Sequence, residues 1–282
     1  MRGMRGAARV AGLAAGLSAC TLLTSLDGLA GSPDELNRPD GQVLDAPLEG
    51  SGSADAGSDG EAGQLCGFPG PTDGLLAYYA FEEGAGSTVH DCTGSHFDGT
   101  FVRQADGGNW APGKKGGAIR VLAPNGCVEL GAPLQLRPPT MTVAVWVNVN
   151  TFPAVGAAGY VIGQALNADV NGWRIGSHTA DGGQVGWLHA NGGTKYVYDT
   201  PSPIGSWHHY AMTFKPNGTL EIFVDAARTF TQNGVPPIVF AAVSLRIGCR
   251  ADDTNYLDGM IDELRIYDRV LTGPEIATLA SP

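Results

Sequence analysis

"YLDGMIDELRIYDR", residues 256–269, is the stretch on which the reading of this chain turns. From Met260 to Tyr267 the residues alternate like a strand, with Met260, Leu264 and Ile266 on one face and Glu263, Arg265 and Tyr267 on the other. The alternation expects an apolar residue at 262, and the sequence places Asp262 there. A carboxylate directed towards a core is costly unless something compensates it.

Outward from this strand, similar signals recur at short intervals. "LLAYYAF" (75–81), "GAIRVL" (117–122), "CVEL" (127–130) and "MTVAVWVNV" (141–149) are separated by Gly, Pro and Asn clusters. "WHHYAMTFKPNGTLEIFVDA" reads as a hairpin, two alternating runs flanking the turn pair Asn217-Gly218. Thr272, Gly273, Pro274 and Glu275 spell a capping box before "IATLA", the sole good helix signal. The expected fold is all-β: a two-sheet antiparallel jelly-roll β-sandwich with a short C-terminal helix.

The N-terminal region differs in character. Arg2, Arg5 and Arg9 precede the apolar run "VAGLAAGLSA", which is too short to span a bilayer comfortably. The run ends in "LSAC", residues 17–20, a tetrad that resembles the lipobox of bacterial lipoprotein signal peptides. That resemblance implies a signal peptide over 1–19, lipidation at Cys20 and a place on the outer membrane or cell surface. An ordinary secretory signal is the alternative, and either way the chain is exported. Residues 20–65 are rich in Gly, Ser, Asp and Ala and hold no aromatic residue, so they read as a disordered acidic linker. Such a tether has an r.m.s. span of roughly 35–40 Å. The formal charge is −11 for the whole chain. The acidic balance argues against nucleic acid or anionic lipid as partner and is compatible with divalent cations.

Behind the linker, residues 66–282 form the folded domain. Cys66, Cys92, Cys127 and Cys249 lie within it, an even number in an exported chain, which reads as two disulfides. Three pairings are possible. Cys66–Cys92 with Cys127–Cys249 is favoured, because it clips the domain entry to its first long loop and joins two strand-like segments. No Cys/His spacing suggests zinc.

"GLLAYYAFEEGAGSTVHDCTGSHFDGT", "GKKGGAIRV", "MTVAVWVN", "SWHHYAMTFKPNGTLEIFVDA", "LRIG" and "LDGMIDELRIYDRVLTGPEI" resemble, in order over residues 74–279, the successive signatures of LamG-like jelly-roll domains of the concanavalin A-like lectin/glucanase superfamily. The resemblance is specific for fold and unspecific for ligand. It implies a structural calcium held by the aspartate of "IDELRIY", which is Asp262, together with Glu82, backbone oxygens around Thr93–Ser95, and Asp91. Calcium takes six to eight oxygen ligands, which carboxylates and glycine-rich loops can supply. The alternatives for Asp262 are backbone N–H donors, an ion pair with Arg120 or Arg265, or a bulge that turns it outward.

Glucanases of this superfamily carry a compact acidic motif along one strand, since two carboxylates must flank the scissile bond. No such motif occurs here, and Glu221 and Asp225 have the wrong spacing. His208 and His209 are adjacent, so they face opposite sides of a strand and cannot serve one site together. Ser177-His178 shows no nucleophile-elbow context. The expectation is therefore non-catalytic recognition of an extracellular glycan or glycoprotein by a monomer. Trp173, Trp187, Tyr196 and Tyr198 are the candidate sugar platform, because a pyranose has an apolar face and polar edges. Core packing is the competing role for each of them, and the stronger one for Trp146 and Trp207. A structural or protein-binding role in the cell envelope, without sugar affinity, is the rival function; a hydrolase of unusual constellation is the remote one.

Overall fold

The computed structural model describes residues 66–282 apart from 68–69, 106–108, 155–156, 167–170, 179–182 and 192–193. The expected signal peptide, Cys20 and the linker lie outside the described residues. With strands numbered along the chain, the first sheet runs in the order β14 (Ala227–Asn233), β13 (Thr219–Val224), β12 (Trp207–Phe214), β7 (Met141–Thr151), β16 (Asp258–Tyr267), β5 (Gly117–Val121) and β4 (Trp110–Pro112). An additional strand, β1 (Leu75–Tyr79), pairs with β16. The second sheet runs β11 (Thr194–Pro201), β10 (Gln184–Asn191), β9 (Gly172–His178), β8 (Ala158–Gln164), β15 (Arg246–Ile247), β6 (Val128–Glu129), β3 (Gly99–Phe101) and β2 (Thr88–Val89). Both sheets are antiparallel, and the fold is the expected concanavalin A-like β-sandwich.

The sheets pack face to face over one apolar core. β7 contributes Val143, Val145, Val147 and Val149, and β12 contributes Tyr210, Met212 and Phe214; the second sheet answers with Val161, Ile162, Trp173, Ile175, Val185 and Trp187. Apart from the adjacent Val161 and Ile162, where β8 shifts register, these residues are spaced by two, as strands with one face inward require. The turn at Asn217-Gly218 closes the β12–β13 hairpin, with Asn217 at a φ of 56°.

A smaller apolar cluster covers the outer face of the first sheet. Ile276 and Leu279 of helix α1 (Gly273–Leu279) pack with Leu271 on Ala144, Ala211, Phe223 and Tyr267. Alanines at 144 and 211 leave the helix room to approach, and each large side chain so buried contributes about 1.5–3 kcal/mol. The helix start is fixed by Glu275, whose Oε2 accepts from the Thr272 N–H at 2.7 Å and its hydroxyl at 2.8 Å. Arg269 adds a two-pronged ion pair to the same carboxylate, at 2.6 and 3.1 Å.

Two disulfides join Cys66 to Cys92 and Cys127 to Cys249, with Cα separations of 5.5 and 5.4 Å, ordinary for the bond. The first clips the domain entry to the loop after β2. The second joins segments 122 residues apart in sequence.

One sequence expectation is corrected in β16 itself. The simple alternation put Met260 with Leu264 and Ile266, but the strand changes phase between Asp262 and Arg265. Ile261, Leu264 and Ile266 enter the core between the sheets. Asp262 pairs in register with Trp146 and Arg265 with Ala144, so both look towards the outer face. The extra residue is Glu263, at a φ of 55°. A bulge of this kind puts two residues opposite one and resets the faces beyond it.

Candidate functional site

The bulge sits where β16 exchanges one neighbour for another. Up to Ile261 its free edge pairs with β5, and from Leu264 onward with β1. At the exchange, Asp262 and Glu263 are 0% and 2% exposed, so the outer face here is sealed. The turn "GKKGG", residues 113–117, between β4 and β5, is what seals it. Asp262 Oδ2 accepts from the Lys115 N–H at 2.9 Å, and Glu82 Oε2 accepts from the Gly117 N–H at 2.9 Å. Two glycines let the turn come this close. Gly116 has a φ of 55° and a side chain there would collide with the Glu82 carboxylate; a Cβ on Gly113 would lie 2.7 Å from Asp262 Oδ2.

Beside Asp262 a second buried acid is satisfied differently. Glu263 Oε1 accepts from the Tyr78 hydroxyl at 2.7 Å, and Oε2 lies 2.9 Å from the Arg265 guanidinium. That guanidinium also stacks over the Tyr78 ring at 3.8 Å. The sequence alternation put Glu263 and Arg265 together on the face opposite Leu264; both are buried, and the chain entering at Gly70 lies against Arg265. The signal that could have found this is the "GKKGG" run, whose glycines make sense only where a turn lies flat on something.

The electrostatics of the pocket follow from its dryness. Burial pushes the Asp262 carboxyl up to about 8, against the pull of the Lys115 and Lys114 N–H groups, and the negative charges of Glu263 and Glu82 push the same way. Burial lowers the Lys115 ammonium. Asp262 Oδ1 is buried with no hydrogen-bond partner. An orphan carboxylate oxygen with Glu82 on the same turn is a donor set suited to a hard cation.

Asp91 is not brought into that set. Its Oδ1 accepts from the Tyr78 and Thr93 N–H groups, both at 3.0 Å, and its Oδ2 from the Thr93 hydroxyl at 2.8 Å and the Phe97 N–H at 3.1 Å. Four donors leave it holding the loop 90–98 against β1. Among the described residues, the sole set of three potential metal-binding side chains within 4.8 Å of one another is Cys127, Cys249 and Asp253, and the two cysteines are bonded to each other.

The aromatic candidates separate into two pairs. Trp173 and Trp187 are fully buried, stacked at 5.0 Å between centroids, with Phe214 next in the stack at 5.6 Å. They present no face to a ligand, which corrects their assignment to a sugar platform; their bulk fills the space between the sheets. Tyr196 and Tyr198, on the edge strand β11, are half-buried. His189, opposite Tyr196 on the neighbouring strand, lies beside them on the same face, 5.0 Å from Tyr196 and 6.0 Å from Tyr198, and Phe230 of the other sheet lies 5.9 Å from Tyr198. His189 is itself fixed by the Trp187 indole N–H, which donates to its Nδ1 at 3.2 Å. Burial lowers the His189 imidazole to about 4.

The catalytic alternatives considered from sequence are placed as follows. Glu221 is paired with Arg228 at 2.7 Å. His209 is buried edge-on against Trp146, 5.4 Å between centroids, and burial lowers it to about 3. His208 points the other way, as adjacent strand residues must. His178 pairs with Asp199 at 2.7 Å.

A family profile described as the concanavalin A-like lectin/glucanases superfamily matches residues 123–277, more than half of the chain, and Asp262 falls within it. No curated protein matches. Among solved structures, domain 4 of an extracellular arabinanase from Geobacillus stearothermophilus, in complex with arabinotriose, is 24% identical, with a TM-score of 0.55 over 73% of this chain and 98% of that one. A botulinum neurotoxin type C structure, whose cell entry is described as dependent on two ganglioside molecules, is 12% identical, with a TM-score of 0.55 over 73% of this chain and 51% of that one. Trypanosoma rangeli sialidase in complex with the inhibitor DANA is 16% identical, with a TM-score of 0.52 over 77% of this chain and 34% of that one. The chain thus spans about half of the toxin chain and a third of the sialidase. At these identities the likeness is one of fold.

Proposed function

The chain belongs to the concanavalin A-like lectin/glucanase superfamily, and within it we propose a recognition module for extracellular carbohydrate, exported and held at the cell surface by lipid on Cys20. The observation that carries this reading is the half-buried pair Tyr196 and Tyr198 on the edge strand, flanked by His189 and, for Tyr198, by Phe230. Rings held by stacking lose little entropy when a sugar face settles on them. The arabinotriose and ganglioside named for the similar structures belong to the same ligand class. No acidic pair flanks this edge among the described residues, and Glu221 is neutralised by Arg228, which favours binding over hydrolysis.

The test is binding of the oxidised protein to a broad array of glycans and polysaccharides. Selective binding that Tyr198→Ala weakens at least tenfold, with unchanged melting, supports the reading. A well-folded protein that binds none of them overturns it in favour of a protein partner.

A structural calcium belongs to the same proposal, held by Asp262 and Glu82 without Asp91. Its chemistry would be to neutralise the buried Asp262 carboxylate and the half-buried Glu82 one, and the orphan Asp262 Oδ1 supports it. Calcium should raise the melting temperature of the wild type and leave Asp262→Ala unmoved; a wild type that melts identically with calcium and with chelator removes the ion from the account.

A further inference from the structure

At the rim of the first sheet, away from both the aromatic edge and the "GKKGG" pocket, three side chains stand in relay. Asp225 Oδ2 lies 2.7 Å from His208 Nδ1, and His208 Nε2 lies 2.9 Å from Ser206 Oγ. An ionised carboxylate can only accept, so Nδ1 carries the imidazole proton. In the neutral ring that leaves a lone pair on Nε2, and the Ser206 hydroxyl donates to it. This is the nucleophile–base–orienter arrangement of acyl transfer, recognised by geometry and roles and not by sequence order.

Each member is positioned by the backbone, independently of the relay. Asp225 and Ala226, at φ values of 50° and 67°, make the two-residue turn between β13 and β14. Asp225 is tied to β12 twice, its N–H donating to the His209 carbonyl and its Oδ1 accepting from the His209 N–H, both at 2.9 Å. Ser206 follows Gly205, whose N–H donates to the Val149 carbonyl at 2.8 Å. Ser206 lies in the bend just before β12 (Trp207–Phe214) and His208 near the start of that strand, which brings the hydroxyl and the imidazole within 2.9 Å. Holding the turn needs only His208 and Asp225; the Ser206 hydroxyl is an addition that this structural job leaves unexplained. Ser206 is exposed and the His208 and Asp225 side chains are 21% and 48% exposed, so a solvent-borne reagent reaches the oxygen.

We propose that Ser206 is an activated nucleophile that accepts acyl groups from small, solvent-accessible carboxylic esters. The Ser206 Oγ–carbon bond forms as its proton passes to His208 Nε2. The bond from the carbonyl carbon to the leaving oxygen then breaks, and that oxygen takes the proton from His208 and departs as the alcohol. Water, deprotonated by the same nitrogen, attacks the acyl-serine; the acid leaves and the Ser206 hydroxyl is restored. With the carbonyl oxygen facing solvent, the acceleration is that of a positioned general base, roughly 10²–10⁴-fold. The reaction is accordingly slow, and acylated Ser206 accumulates before turnover.

The experiment treats the full oxidised chain with p-nitrophenyl acetate and, separately, with diisopropyl fluorophosphate, and follows intact mass and peptide mapping. One adduct per chain on Ser206 is expected, absent in Ser206→Ala. His208→Gln should slow its formation at least 100-fold and Asp225→Asn at least 10-fold, each melting within a few degrees of wild type. Ser206→Ala alters only an exposed hydroxyl and folds in any case, so it anchors the comparison if a turn variant does not. Labelling of Ser206 no faster than of other serines, or unaffected by His208→Gln, overturns the proposal.

Discussion

The pocket around Asp262 and the aromatic stack around Trp187 are both dry, yet they are held by opposite means. In the first, directional contacts set the arrangement: Asp262 Oδ2 takes the Lys115 N–H, Glu263 the Tyr78 hydroxyl and Arg265, and Glu82 the Gly117 N–H, with Asp262 Oδ1 left over. In the second, Trp173, Trp187 and Phe214 are held mainly by shape and area, with one directional contact, the Trp187 indole N–H to His189. Directional contacts fix the register of a bulge and the path of a turn, and contribute little net stability once desolvation is subtracted. Stacked rings contribute most of the stability and little directional information. The contrast predicts that the two regions will fail differently.

The largest expected effect is in the stack. Trp187→Ala should destabilise the domain by about 3–5 kcal/mol, the usual cost of deleting a buried aromatic ring, read by denaturant unfolding. An effect under about 1 kcal/mol would mean that the stack is not the mechanical centre of the sandwich. Acid comes next. His189 is held neutral in the fold by burial, down to about 4 from an ordinary 6.5, so the unfolded chain takes up a proton that the native one refuses. Stability from this group is therefore present above about pH 6.5 and lost as pH falls towards 4, about 2–3 kcal/mol between pH 7 and 4.5. His209, lowered to about 3, loses stability in the same direction. His189→Phe should flatten the pH dependence by the His189 share while leaving that of His209; an unaltered slope would show that the buried imidazole is not the source.

The pocket should respond more mildly. Gly116→Ala meets a positive φ and the Glu82 carboxylate, costing about 1–2 kcal/mol. Its distinguishing sign would be exchange protection lost first at the Gly117 and Lys115 amides, measured by hydrogen exchange; protection lost evenly over both sheets would erase the distinction between the two regions. Smallest is Arg228→Ala, which removes a largely exposed ion pair to Glu221 and should cost under about 1 kcal/mol.

How much of this was legible beforehand depends on the range of the physics. Strands, the Asn217-Gly218 turn and the Thr272–Glu275 box depend on local chemistry and read directly from the residues, whereas the cysteine count favoured two disulfides and left three pairings open. Asp262 was legible as an anomaly, because one acid in an apolar alternation is a local contradiction. Its resolution was not legible, since the bulge at Glu263 arises where β5 and β1 meet on one edge of β16, and both strands are distant from β16 in sequence. Trp173 and Trp187 show the converse. A tryptophan in a half-polar strand fits a platform or a core equally well, and only the packing of Phe214 from the facing sheet decides. The relay of Ser206, His208 and Asp225 was missed because it crosses a hairpin, which sequence spacing does not display.

The place of β16 has a consequence in time. This last strand lies in the middle of its sheet, with β7 on one side and β5 and β1 on the other. Synthesis delivers it after all its neighbours, so until it arrives β7, β5 and β1 lack the strand they share. Pairings of such long reach form slowly, with strand edges left open meanwhile. Closure of the first sheet thus waits for β16: without it, no strand joins β7 to β5 and β1.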